Sequence, residues 1–269
     1  MKLVSSAKLR KAQNAIEAMR PYEEQLLGIL ASLQGGTAGV SSLNLGKNKD
    51  ERKTIVAIAS NSSLCGGFNA NAIAKVRAIR RPGDTVYAIG RKMADAMRKE
   101  GFASPEDFSA LSEHPSYGPA AALVEKLVAD VEAGRTGAVV LVYNHFVSTA
   151  RQEPVVEVLM QRETPDQVGG DRGVEERDSS PAPSYIAPLL EPSRAALLEA
   201  LVPKTRKLKL YAALLDSAAA EHAARTVAMQ TATDNAENLL AELTLQYNKG
   251  RQQKITSEIL DLAGGQAEN

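Results

Sequence analysis

The chain has no tryptophan, a single cysteine and only 4% aromatic residues over its 269 positions. Without large aromatic anchors, a core must be built from aliphatic side chains, and abundant alanine favours close contact between helices. The lone Cys65 excludes an intrachain disulfide framework and a cysteine-based zinc site, and it fits a reducing compartment. His114, His145 and His222 lie far apart and show no metal-ligand spacing. Formal net charge is zero, which argues against a dedicated nucleic-acid binder. No apolar run approaches the roughly 18 residues of a membrane span, and no signal peptide is visible.

Proline and glycine are absent where they would matter most. No proline follows Pro203, and Gly250 is the only glycine between there and Gly264. Proline inside a helix costs about 3 kcal/mol and glycine about 1 kcal/mol, so the pattern predicts one helix from about Pro203 to Leu262. About 60 residues at 1.5 Å each reach roughly 90 Å, more than the width of a domain this size. Much of that helix must project, and it needs a partner.

A seam with 3–4 spacing supplies one. It runs through Leu208, Tyr211, Leu215, Ala218, His222, Arg225, Met229, Ala232, Ala236, Leu239 and Leu243. Near the N-terminus Leu9, Ala12, Ile16, Met19, Glu23, Leu26, Leu30 and Leu33 follow the same spacing, with Glu23 as the exception. The expectation is an antiparallel coiled coil of the two terminal helices. Pro21 should kink the first helix or start a new segment, and Gly35, Gly36 and Gly39 break it.

The middle reads differently. The stretches "KTIVAIAS", "TVYAIG", "GAVVLVYNHF" and "PVVEVLM" are strand-like, and 70–79, 92–99 and 119–132 between them are helical. This alternation implies an α/β unit with a largely parallel sheet. The polar, aperiodic stretch 162–183 reads as a loop.

Several signals invite a chemical reading. In "SNSSLCGGFNANAI", a strand, a glycine pair and a helix could cradle phosphate, but neither dinucleotide nor P-loop spacing is present, and a tight turn is the better reading. Cys65 has no neighbouring base in sequence and reads as a small buried hydrophobe. His222 on the seam reads as a polar residue that sets register, with Glu221 and Arg225 paired along the helix. Lys204, Arg206, Lys207 and Lys209 crowd a helix start, where the macrodipole disfavours cations. They could serve an acidic partner, anionic lipid or a solvated face; Lys8, Arg10 and Lys11 are similar.

Four separated blocks, "MKLVSSAKLRKAQNAIEAMRPY", "SSLCGGFN", "AAEHAARTVAMQTATDNA" and "LTLQYNKGRQQKITSEILDLAGG", occur in family order. Through them the chain closely resembles the γ subunit of F-type ATP synthases, from Met1 to about Gly265. The resemblance implies an antiparallel coiled coil of the N- and C-terminal helices plus a Rossmann-like α/β middle domain. The implied division is 1–34 for the first coiled-coil helix, 53–161 for the Rossmann-like domain, 162–191 for a mobile loop and connection, and 192–269 for the long second helix.

The implied function is that of a rotor without an active site or cofactor. It would turn inside the hexamer of α and β subunits and couple transmembrane proton flow to ATP synthesis or hydrolysis on β. Its foot would be held by the ε subunit and the membrane c-ring, on the cytoplasmic face of a bacterial inner membrane. Carried over by position, Arg251 and Gln252 contact β, Thr256 and Glu258 influence coupling, and Glu191 is a c-ring contact. The sequence also departs from the family pattern. A further N-terminal stretch with a T-x-x-I-T-x-A block usually precedes the position of Met1. The family's Asp-Arg pair is replaced at Asn61 and Ser62, and Gly250 and Gln266 stand where alanine is usual.

Overall fold

The computed structural model describes residues 2–33, 52–162 and 193–265. A first helix, α1 (Lys2–Leu33), is followed by β1 (Lys53–Ile58), α2 (Phe68–Ile79), β2 (Thr85–Ile89), α3 (Arg91–Lys99), α4 (Ser109–Glu113) and α5 (Tyr117–Glu132). Then come β3 (Ala138–Phe146), β4 (Gln152–Gln161) and the 72-residue α6 (Arg194–Gly265). At 1.5 Å per residue, α6 is roughly 110 Å long.

The sheet order is β2-β1-β3-β4; β1 pairs parallel with β2 and β3, and β4 closes the edge antiparallel to β3. Every β1 residue is buried, which is why "TIVAI" has no polar alternation. Ile55, Ala57 and Ala59 face Ala72 and Val76 of α2 and Met93 and Met97 of α3. Val56 and Ile58 face Leu123, Val124 and Leu127 of α5 and Leu210, Ala213 and Leu214 of α6. The long helix is therefore part of the domain core over its lower third. Each such leucine contributes about 1.5–3 kcal/mol on burial.

Helices α1 and α6 run antiparallel. Lys2 bonds Gln230 near one end, and Glu23 faces Lys209 and Asp216 further down. Leu9 packs on Ala219 and Ala223, joined by Ala12 and Ile16. Leu26, Leu30 and Leu33 are also buried.

Three expectations need correction, and one short element goes beyond them. First, α6 begins at Arg194, and Pro203 lies inside it, as Pro21 lies inside α1. Both prolines are exposed, and so are Glu199 and Glu17, four residues earlier. Water can therefore satisfy the two carbonyls that lose their helical donors. Second, β4 starts at Gln152 rather than Pro154. It is an edge strand, where proline is tolerated. Third, the paired seam stops near Gln230. Among the described residues Lys2 of α1 lies level with Gln230, and Ala232, Ala236, Leu239 and Leu243 are exposed. The short element is α4, a five-residue helix with no sequence period to announce it.

Gly90, between β2 and α3, has φ 101°, and a Cβ there would lie 2.1 Å from the Ala59 carbonyl oxygen. The strand end and the helix start approach too closely for any side chain. Gly90→Ala should cost about 3 kcal/mol or more, read as a large drop in the thermal midpoint of the purified chain. An unchanged midpoint would show that this junction relaxes freely.

Candidate functional site

In an open sheet of this kind, ligands enter where strand order reverses, at the carboxyl ends of the strands. Here that point lies between β1 and β3, and protein fills it. Buried Asn144 at the end of β3 donates to the Phe68 carbonyl at 3.0 Å. Cys65 and Phe68 pack on Ala220 and Ala224 of α6, with Phe146 beside them. The Asn69 amide oxygen accepts from the Ser60 backbone N–H at 3.0 Å, and its amide nitrogen donates to Ser60 Oγ at 2.8 Å. Cys65 is thus a packed side chain, and the loop amide of Ser60 is used internally. Leu64 in this loop has φ 66° and an exposed side chain.

Asn61 ties the loop to two neighbours. Its amide nitrogen donates to the Ser109 carbonyl at 2.9 Å, and its oxygen accepts from the Arg91 N–H at 3.0 Å. A neutral amide serves this junction because both a donor and an acceptor are needed.

The coiled-coil seam carries a polar layer. Arg225 lies 2.7 Å from Glu221, and both side chains are largely buried. Half-buried His222 neighbours Arg225 and Lys8. Burial, reinforced by the two cations, lowers the His222 pKa to about 4. Burial raises that of Glu221 against the pull of Arg225. Among the basic residues near the α6 start, Lys207 pairs with Glu125 and Lys209 with Glu157, whereas Lys204 is exposed.

A second polar group joins α1, α6 and the β3–β4 pair, and sequence reasoning missed most of it. Asp216 accepts from the Phe146 N–H at 3.0 Å and lies 2.5 Å from His145 Nδ1. Lys209 donates to the Val158 carbonyl at 3.1 Å. The Tyr143 hydroxyl donates to Glu157 at 3.0 Å. Burial raises the Asp216 carboxyl, against the bonds from His145 and Phe146. Burial and then Glu157 raise half-buried Glu23. The one sequence signal was Glu23, a carboxylate in an otherwise apolar seam.

The largest uncovered feature is the upper end of α6. Every residue from Thr231 to Leu260 is exposed, including Leu239, Leu240, Leu243, Leu245, Tyr247, Ile255, Ile259 and Leu260. Arg251, Gln252, Thr256 and Glu258 all lie here; Glu191 lies outside the described residues. At 100° per residue, the first four span one arc of roughly 160° together with Ile255 and Ile259. The Thr256 hydroxyl donates to the Gln252 carbonyl at 2.9 Å, so it is satisfied within the helix. Leu239, Leu243, Tyr247, Arg251, Ile255 and Ile259 form a ridge at spacing four, which drifts about 40° per step around the axis.

The family model described as ATP synthase matches residues 1–267. The chain is 44% identical to the ATP synthase gamma chain of Phocaeicola vulgatus, across 98% of this chain and 91% of that one. It is 37% identical to the ATP synthase gamma chain of Pelotomaculum thermopropionicum, across 99% and 91%. In fold it resembles a chain of the Euglena gracilis mitochondrial ATP synthase OSCP/F1/c-ring structure. That match has TM-score 0.65 at 20% identity, covering 97% of this chain and 94% of that one. A chain of the Tetrahymena thermophila mitochondrial ATP synthase central stalk and c-ring structure matches with TM-score 0.60 at 19% identity, covering 87% and 97%.

The His222 environment sets an acid response. A histidine whose folded pKa lies below its unfolded value loses stability as pH falls from about 6.5 towards 4. Glu221, shifted upward, contributes the opposite sign. His222→Gln should therefore make the change in thermal midpoint from pH 7.5 to pH 5 more favourable than in the native chain. An identical change in both proteins would contradict the assigned environment.

Proposed function

The chain belongs to the γ-subunit family of ATP synthases, and from that premise we propose that it is the central rotor of an F-type complex. It turns inside the hexamer of α and β subunits and couples transmembrane proton flow to ATP synthesis or hydrolysis on β. The chain contributes no active site of its own. The observation that carries this reading is the bare upper end of α6. Some thirty consecutive exposed residues carry eight large apolar side chains, and a lone helix with that much exposed apolar surface calls for a partner.

The winding of the ridge supports enclosure by a ring. A seam at spacing 3.5 stays on one side of a supercoiled helix, as the α1 contact does lower down. A ridge at spacing four moves around the helix, so successive turns face different directions. A surrounding hexamer meets such a ridge at every height. Arg251 interrupts it between Tyr247 and Ile255 and offers a planar fork for carboxylates or carbonyls of β. Gln252, Thr256 and Glu258 form the rest of that contact.

At the other end, the ε subunit and the membrane c-ring hold the foot, with Glu191 as the candidate c-ring contact. No described helix is long and apolar enough to cross a membrane. Membrane attachment therefore runs through the complex, on the cytoplasmic face of a bacterial inner membrane. In sequence, Glu191 stands three residues before the start of α6 at Arg194.

Arg251→Ala combined with Gln252→Ala should leave the thermal midpoint of the isolated chain within about 1 °C, because both side chains are solvated there. In the assembled complex the same pair should lower proton-driven ATP synthesis several-fold. Unchanged synthesis would remove these residues from the β contact. Gly250 has open space around a would-be Cβ. Gly250→Ala should therefore raise the helicity of the upper segment, by about 1 kcal/mol of local stability. Altered coupling in that variant would identify Gly250 as a point of shaft bending, and unchanged coupling would exclude it.

A further inference from the structure

We propose that Asp216 and Lys209 are positioning residues that lock the middle domain to the shaft and carry torque between them. The proposal rests on the rotor reading above and assigns it a joint. Apolar packing of Leu210, Ala213 and Leu214 on the sheet resists separation. The hydrophobic effect behind it is non-directional. Directional hydrogen bonds to backbone resist turning and sliding, because they fix both height and azimuth.

Asp216 and Lys209 make the polar bonds from α6 to the backbone of the two adjacent strands. Asp216 holds the N–H of Phe146, the last residue of β3, and also engages His145. Lys209 holds the carbonyl of Val158 on β4 and lies 3.2 Å from Glu157. Val139 pairs with Met160 and Val140 with Val158, so Leu159 bulges out of the ladder beside that carbonyl.

The two anchors are seven residues apart, two helical turns and about 10 Å along the same face. A helix held at two heights to two strands cannot rotate about its axis without breaking both. Tyr143 fixes Glu157 from the sheet side, and Glu23 brings α1 into the same group. The joint thus gathers both helices of the shaft and the distal half of the sheet. Its carboxylates and cations lie in a partly buried setting, where charge-assisted bonds are stronger than at the surface.

The test uses the assembled complex in membrane vesicles and reads proton pumping per ATP hydrolysed. A residue that only stabilises the fold changes the amount of complex, not this ratio. Asp216→Ala with Lys209→Met should lower the ratio at least threefold while ATP hydrolysis continues. Asp216→Asn, which keeps an acceptor for the Phe146 N–H, should recover most of it. A native ratio in the double variant overturns the proposal. If the double variant does not assemble, Lys209→Met alone is measured, and a native ratio there overturns it equally. Failure of the native chain to assemble with α and β or to support pumping would instead overturn the rotor reading.

Discussion

One constraint organises this molecule: α6 is far longer than anything that covers it. Its lower third lies in the core of the middle domain, α1 runs beside it up to Gln230, and beyond Gln230 no described residue covers it. A helix in water holds together by its own backbone bonds, but exposed leucines and isoleucines are not stabilised there. Among the described residues nothing covers the upper end, and other chains of the complex are what the rotor reading supplies there. Everything below is an anchorage for that projecting segment, and the firmness of the anchorage determines whether force applied at one end reaches the other.

The middle domain serves this anchorage. Its strand order provides the crevice in which related architectures hold nucleotides. Here Asn144, the Ser60–Asn69 pair and the small side chains of α6 occupy it. Alanine at 219, 220, 223 and 224 matters because it lets the shaft backbone approach both α1 and the loop after β1. Bulkier residues would push the three elements apart. The same compactness explains how a chain without tryptophan forms a stable core.

Much of this was legible in the sequence, and the reasons differ by element. The seam of α1 reads clearly because Leu9 and Ile16 pack on α6 and Leu26, Leu30 and Leu33 are buried along the same repeat. β1, β2 and β3 read clearly because their runs are largely apolar and buried. The start of α6 did not read correctly, because an exposed proline interrupts a helix less than its propensity suggests when water can take the freed carbonyl. The end of the coiled coil did not either: Ala232, Ala236, Leu239 and Leu243 continue the repeat without an α1 partner. The roles of Arg251 and Gln252 come from the resemblance, since nothing in local spacing distinguishes them from solvated polar residues. The Asp216–His145 contact joins residues about 70 positions apart, and no local pattern announces it.

The central claim is that this chain turns as a shaft within a ring of other subunits. Its most direct test is a single-molecule measurement on the chain assembled with α and β, immobilised through the hexamer, with a probe fixed to the exposed β3–β4 turn at Thr149→Cys. On addition of ATP the account predicts continuous rotation of the probe in one direction. ATP hydrolysis by an intact assembly with a stationary probe would contradict it.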